Sequence, residues 1–156
     1  MPLIVGHRLV GTSLACTGDI AQGRAHLDRA VALYNPTEHR PLALRFGQDV
    51  RVAILSYRAM ALWMLGYPKA ALVDTEQALT DAREIGQATT LMYALLHAAW
   101  IYLWRGNYTE VGRLTERLIS LAEEKGAMVM KGGGMLNKGC RVRDNDESRA
   151  HARRKR

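Results

Sequence analysis

A cluster of polar side chains in one connection is the part of this sequence best suited to holding a partner. Residues 35–53 contain two prolines and a Gly-Gln-Asp run, which mark a polar connection rather than a continuing helix. The cluster consists of His39, Arg40, Arg45, Gln48 and Asp49. In a binding groove, an arginine of this group could hold a partner's carboxylate through paired N–H donors. We favour the plainer alternative, in which the five cap helices and fix the connection, and keep all five as candidate partner-binding residues.

Residue types used in catalysis and metal binding occur here, but not at the spacings that such sites use. No Ser/His/Asp or Cys/His set is indicated, and Cys16 and Cys140 match no zinc-binding spacing. The run Lys-Gly-Gly-Gly at 131–134 has the wrong order for a phosphate-binding loop, in which the lysine follows the glycines. The sequence therefore predicts that the protein is not an enzyme and uses no cofactor. No catalytic, cofactor-binding or metal-ligating residue is assigned.

Histidines and tryptophans outside the connection have structural interpretations. His97 stands alone on an apolar segment, which favours a hydrogen-bonded core residue over a ligand. His7 and Arg8, near the start of the chain, could pair with the connection. The three large indole rings are expected in the core or between repeats rather than in a stacking platform: Trp63, Trp100 and Trp104.

The net charge of +7 is unevenly distributed over the 156 residues. Residues 141–156 hold seven Lys/Arg and three Asp/Glu, a net +4, which leaves only +3 on residues 1–140. A near-balanced body with a basic end indicates nucleic-acid binding less strongly than a basic face on a folded domain does. The basic end also lacks aromatic residues that could stack on bases, so nucleic acid is not an expected partner.

The apolar segment 88–104 has seventeen residues without a full charge. A membrane span needs about 20, so we expect a helix buried on most sides and no membrane insertion. The start, MPLIVGHR, has no basic region followed by an apolar run long enough for a secretory signal. Because the two cysteines also suggest no disulfide framework, a cytoplasmic location is expected.

Helical periodicity dominates the chain, and no segment alternates convincingly like a strand. The hydrophobic fraction of 48% is enough to build one core in a chain of this length. The pattern predicts an all-α protein. Its main helices are expected at residues 4–17, 20–34, 49–65, 68–86, 88–105 and 108–125.

Three glycines divide these helices into pairs. Gly18, Gly66 and Gly106 are predicted to form the turns of helical hairpins, with a positive φ that other residues adopt at a cost. Asp19 and Asn107 suit the cap of the helix that follows. The same residue types recur at fixed distances from the three glycines. Seven positions before each glycine is a small residue (Gly11, Ala59 and Ala99), and four positions before it is a larger apolar residue (Leu14, Leu62 and Tyr102). Twelve positions after each glycine is an apolar residue (Ala30, Ala78 and Leu118).

This small–large–Gly–Ala pattern resembles the tetratricopeptide repeat, here with a period of about 40 residues rather than about 34. The resemblance implies an α-solenoid of about three hairpins plus a partial fourth, with a concave binding surface. Thr75 and Thr115 depart from it, because a larger apolar residue is usual there. An irregular helical bundle is the alternative fold.

Three stretches carry a more specific resemblance: GHRLVGTSLACTGD, RAHLDRAVALYNPTEHRPLALRFGQDVRV and ALWMLGYPKAAL. Over roughly residues 3–140 the chain resembles the C-terminal tetratricopeptide-like region of large bacterial adenylate/guanylate cyclases that also carry an AAA-type ATPase domain. The HRP and GQD elements are the most specific part. No phosphate-binding loop and no acidic metal pair of a cyclase is identifiable in this chain.

The resemblance implies a regulatory or interaction segment of a signalling protein, separate from its catalytic domains. The expected function is protein–protein interaction or scaffolding, with a partner protein or the upstream catalytic domains of a full-length relative as partner. The alternative is a small-ligand sensor that binds a metabolite in the concave groove.

The repeat pattern stops after Cys140, which divides the chain into a repeat domain at 1–140 and a basic tail at 141–156. Gly139 fits the small position of a fourth hairpin, but Asp146 stands where its turn glycine is expected. The tail has no apolar stripe, and we expect it to be disordered. A shifted reading frame near codon 140 would explain the change, and the chain is then a fragment of a longer protein. An incomplete last repeat also predicts self-association.

Overall fold

The computed structural model describes residues 2–140, and every regular element within that range is helical. The all-α prediction is therefore confirmed. The predicted tail at 141–156 and the predicted turn near residue 146 lie outside the described residues. The helices are α1 Pro2–Thr17, α2 Ile20–Ala32, α3 Pro36–His39, α4 Leu42–Phe46, α5 Val50–Met64, α6 Pro68–Ile85, α7 Ala88–Trp104 and α8 Tyr108–Glu124. Residues 128–140 form a further helical segment, referred to below as the 128–140 helix.

The helices pack largely as sequential pairs. α1 packs on α2, α5 on α6 and α7 on α8, each pair being a hairpin with a short turn. Between pairs, α2 contacts α5 and α6 contacts α7, while the first helices also contact one another, α1 with α5 and α5 with α7. The pairing predicted from the sequence is thus present.

The turn glycines have the backbone conformation that the sequence predicts. Gly18, Gly66 and Gly106 have φ values of 103°, 83° and 76°, the left-handed region that a side chain disfavours. The predicted caps are present as well, since Asp19 accepts a hydrogen bond from Gln22 N and Asn107 accepts one from Glu110 N.

The first hairpin requires glycine where its helices cross. A Cβ atom on Gly11 would lie 2.8 Å from the carbonyl oxygen of Gly23 and 2.8 Å from Cγ of Leu27. A Cβ on Gly23 would lie 2.7 Å from the backbone of α1. The equivalent positions Ala59 and Ala99 are fully buried. The prediction of a small residue at a close crossing is confirmed for the first hairpin.

Two apolar clusters form the core. The larger lies among α5, α6, α7 and α8, and the smaller joins α1 and α2 to α5 through Ile4, Leu27, Ala30 and Ile54. The unusual Thr75 is buried on α6, where its hydroxyl donates to the carbonyl of Ala71.

A fork of hydrogen bonds from one arginine joins the first two hairpins. Arg58 on α5 donates through Nε and Nη2 to the two carboxylate oxygens of Asp74 on α6, both at 2.6 Å, and through Nη1 to Asp28 on α2 at 3.2 Å. Hydrogen bonding to Asp74 raises the pKa of Arg58. A paired, largely buried charge of this kind fixes the relative placement of three helices.

Two short helices interrupt the connection between the first and second hairpins. The sequence predicted only a polar connection there, whereas α3 and α4 form with Pro36 in the first turn of α3 and Pro41 at the cap of α4. Proline suits these positions because the first turn of a helix does not use its N–H group.

The 128–140 helix packs on α7 and α8 through one face. Gly133 lies against Leu96, Gly134 against Ile119, and the Asn137 side chain donates to the carbonyl of Leu96. Its other face is exposed. Gly139 has nothing within 4 Å, so the close crossing predicted there has no partner among the described residues. None of the helices described in residues 2–140, α7 included, is long and apolar enough to cross a membrane.

Candidate functional site

Asp49 is the centre of the hydrogen bonding that holds the connection. Its side chain caps α5, because Oδ1 accepts from the backbone N–H groups of Arg51 and Val52 at 2.9 and 3.0 Å. Oδ2 accepts from the Tyr34 hydroxyl at 3.0 Å, and the backbone N–H of Asp49 donates to Oγ1 of Thr90 on α7 at 3.0 Å. The residue is 0% exposed. Asp49 thus joins three parts of the fold: its carboxylate holds the segment after α2 and the start of α5, and its backbone N–H holds α7.

His39 also fixes the connection. Its side chain is buried, and Nδ1 accepts a hydrogen bond from the backbone N–H of Asn35 at 2.9 Å. An imidazole that accepts at Nδ1 carries its proton on Nε2 when it is neutral. The Nε2–H donor of His39 makes no hydrogen bond to another described residue.

Arg40 joins the connection to α6. It donates to Glu84 at 2.9 Å and lies 3.7 Å from Asp81, whose other carboxylate oxygen lies 3.5 Å from Arg51. The hydrogen bond to Glu84 raises the pKa of Arg40. Because the Arg40–Glu84 pair is largely exposed, it contributes little to stability.

The five candidate residues from the sequence divide into two groups. His39, Gln48 and Asp49 line one cavity, whereas Arg40 and Arg45 are not among its lining residues. Arg45 lies exposed on α4. The contacts of His39, Arg40 and Asp49 agree with the interpretation that we favoured from the sequence, in which these residues cap helices and fix the connection.

The cavity has a volume of about 230 Å³ and is bounded by α1, the connection and the start of α5. Most of its wall is apolar and comes from Val5, Leu42, Ala43, Val50 and Ala53. Four polar side chains complete it, Arg8, His39, Gln48 and Asp49. A small concave space with apolar walls and a few convergent polar groups is the usual form of a ligand site.

Two of the polar groups at this cavity are unsatisfied. Nε of Arg8 and Nε2 of Gln48 are buried without a hydrogen-bond partner. Arg8 lines the cavity together with residues of the connection, but it forms no hydrogen bond or ion pair with them, so the pairing suggested by the sequence is not present among the described residues. His7 does not pair with the connection either, because its Nδ1 lies 3.0 Å from Nδ1 of His26 on α2.

An aromatic cluster lies next to the cavity, between α5 and α7. The rings of Tyr57 and Tyr93 are 6.4 Å apart, and His97 is 5.2 Å from the first and 4.1 Å from the second. Burial raises the pKa of Tyr93 far above its usual value and the Tyr57 hydroxyl adds to this, while Arg8 and Gln48 oppose it. The cluster and the cavity's polar end are therefore neighbours.

His97 has the role that the sequence predicts. Its Nδ1 lies 2.9 Å from the carbonyl oxygen of Tyr93, one turn earlier on α7. Burial lowers the pKa of His97, and the hydrogen bond to Tyr93 offsets part of this effect. The residue is a neutral, hydrogen-bonded part of the packing at neutral pH.

The three tryptophans form a second aromatic cluster further along α5 and α7. Trp104 lies 6.3 Å from Trp63 on α5 and 6.3 Å from Trp100 on α7. This contact between hairpins is the one that the sequence predicts. Trp104 nevertheless remains 38% exposed, so part of the tryptophan cluster is accessible from outside.

The sequence did not lead us to predict that Tyr57 and Tyr93 lie in one aromatic cluster. On α7, Tyr93, His97, Trp100 and Trp104 recur at spacings of three and four residues, which places them on one face of the helix. That spacing is the feature of the sequence from which an aromatic face on α7 could have been predicted. No group of three or more His, Cys, Asp or Glu side chains in residues 2–140 is placed to hold a metal ion.

Comparison of the chain with protein-family models, with curated proteins and with solved structures finds no match. The described residues define the class of the protein as an all-helical domain built largely from sequential helical pairs.

Proposed function

We propose that this chain is a protein–protein interaction module, in which tetratricopeptide-like hairpins present their first helices to a partner. The order of contacts supports the proposal. α5 contacts both α1 and α7, and each second helix packs on the first helix of the next pair. In repeat arrays such an arrangement curves the stack and places one set of helices along a concave binding surface.

The tryptophan cluster is the observation that carries this proposal. The cluster lies where α5 contacts α7 and consists of Trp63, Trp100 and Trp104. The side chain of Trp104 is 38% exposed to solvent. Tryptophan is enriched among the residues that dominate binding energy at protein interfaces. The expected partner is a peptide segment with an apolar side chain that packs on Trp104 and an acidic one beside it, because Arg105 is exposed next to Trp104.

The resemblance of the sequence to the C-terminal tetratricopeptide-like region of adenylate/guanylate cyclases supports the same class of partner. A segment of this kind regulates a signalling protein by contacting either a separate protein or the catalytic domains of its own chain. The proposal assigns binding alone to this chain and no catalytic step.

A selection from a displayed library of random peptides, followed by fluorescence anisotropy on the enriched peptides, tests the proposal. We expect a shared motif with an apolar and an acidic residue. Trp104→Ala should weaken its binding by at least about tenfold, as loss of a dominant interface residue does. Lys69→Ala, at an exposed position on α6, is the matched control and should leave the affinity unchanged. Lack of a motif, or equal binding by Trp104→Ala, would refute the proposal.

A further inference from the structure

We propose that the cavity bounded by α1, the connection and α5 binds a small molecule with one carboxylate and a short apolar body. This site lies at Arg8, away from the tryptophan cluster, and does not depend on a peptide partner. It gives a specific chemistry to the small-ligand sensor, which is the alternative function expected from the sequence.

The first argument is the unpaired cation at the cavity. Arg8 makes no ion pair with any described residue, and its Nε is buried without a hydrogen-bond acceptor. A partly buried guanidinium without a partner destabilises the folded protein, because desolvation of the charge is not offset. An anionic ligand that accepts from Nε removes this cost.

The second argument is that the other available groups are also donors. Nε2 of Gln48 is buried with no acceptor at full hydrogen-bond distance, although Gln48 interacts with the Tyr93 hydroxyl. His39 has its Nε2–H donor unused. Asp49 is the one carboxylate that lines the cavity, and its oxygens already accept from Tyr34 and from two backbone N–H groups of α5. The site therefore offers donors to a ligand and requires acceptors from it, as a carboxylate provides.

The third argument is size and wall chemistry. The cavity, at about 230 Å³, has the volume of roughly eight water molecules in the liquid. Val5, Leu42 and Val50 contribute apolar wall. These dimensions fit a short aliphatic or a single-ring acid.

Isothermal titration calorimetry on the full chain tests the proposal with butyrate and benzoate. Butyramide and benzamide, which have nearly the same shape without the charge, serve as matched neutral probes. We expect at least one acid to bind at least about tenfold more tightly than its amide, since a charge-assisted hydrogen bond is worth that factor. An acetylated tripeptide with a free carboxylate is the third arm.

Two arginine variants assign the binding to the cavity. Arg8→Gln should weaken binding of the acid by at least about tenfold. Arg29→Gln makes the same change of charge at an exposed position on α2 and should keep the affinity within about twofold. Equal binding of acid and amide, binding of the tripeptide alone, no acid binding at ~10 mM, or equal loss in both variants would each overturn the proposal.

A measurement without ligand tests the premise separately. Because Arg8 is unpaired, the melting temperature of Arg8→Gln should be equal to or higher than that of the wild type. A clear decrease would show that Arg8 has a structural partner and would overturn the proposal. Peptide binding at Trp104 should be the same in Arg8→Gln and in the wild type, so the failure of one proposal is distinguishable from the failure of the other.

Discussion

Asp49 combines two kinds of stabilisation in one buried carboxylate. It caps α5 through two backbone N–H groups and accepts from the Tyr34 hydroxyl. Removal of the side chain leaves these donors unpaired. We expect Asp49→Ala to lower the free energy of unfolding by about 2–4 kcal/mol in urea denaturation. Asp19→Ala removes an exposed cap of α2 and should cost only about 0.5–1 kcal/mol. Equal costs would show that the contacts beyond the cap contribute nothing.

His97 makes the stability of the protein depend on pH. Burial lowers its pKa below the ordinary value of 6.5, so the folded protein binds a proton there less readily than the unfolded chain. The contribution of neutral His97 is complete above about pH 6.5 and is lost as pH falls towards the lowered pKa. Wild type should therefore lose up to about 2 kcal/mol more than His97→Phe between pH 7 and pH 5 in urea denaturation. Parallel pH dependence in the two proteins would contradict this.

At the scale of single helices, the crossing of α1 and α2 requires a glycine. A methyl group on Gly11 would lie 2.8 Å from the carbonyl oxygen of Gly23, a backbone atom that cannot rotate away. We expect Gly11→Ala to destabilise the protein by about 1–3 kcal/mol, despite the better helix propensity of alanine. Gly6→Ala is the control on the same helix, with nothing within 4 Å, and should stabilise it by about 0.5–1 kcal/mol. Thermal or urea unfolding of both variants decides the matter, and similar effects would exclude a close crossing.

The helical hairpins were predictable because their signals are local. A left-handed turn needs glycine at one position, as at Gly66 and Gly106, and a close crossing needs a small residue at a fixed distance from it. The short helices α3 and α4 were not predicted, because four or five residues cannot show a helical period. Their prolines read as breaks in the sequence, whereas in the structure they lie where the helices begin.

The cavity could not be predicted in the same way. Arg8 and Gln48 are far apart in sequence and meet only because α1 packs beside α5 and the connection folds back between them. Neither residue belongs to a spacing pattern. The sequence could predict which polar residues belong to the connection, but their contacts depend on tertiary packing.

At the scale of the whole molecule, the described residues expose apolar side chains at both ends of the stack. Leu3 on α1 is 69% exposed, and Met135 on the 128–140 helix is 58% exposed. The opposite face of each helix packs inwards, through Ile4 on α1 and through Gly134 on the 128–140 helix. Within a stack of helices, such an outer face normally packs on a neighbour. We therefore expect that two copies associate through unlike ends, which would give open-ended oligomers rather than closed dimers.

Association through unlike ends can be distinguished experimentally from a dimer in which two identical ends meet. Sedimentation velocity of the full chain should show oligomers that grow with concentration. Leu3→Lys and Met135→Lys should each reduce the protein to monomer, because each charge blocks one of the two ends. An equimolar mixture of the two variants should then form a dimer and nothing larger, since every such pair retains one intact contact. Val73→Lys, at a position on α6 that is 68% exposed and away from both ends, should associate like the wild type. If Leu3→Lys has no effect while Met135→Lys abolishes association, the 128–140 helix pairs with its own copy, and the contact between unlike ends is wrong.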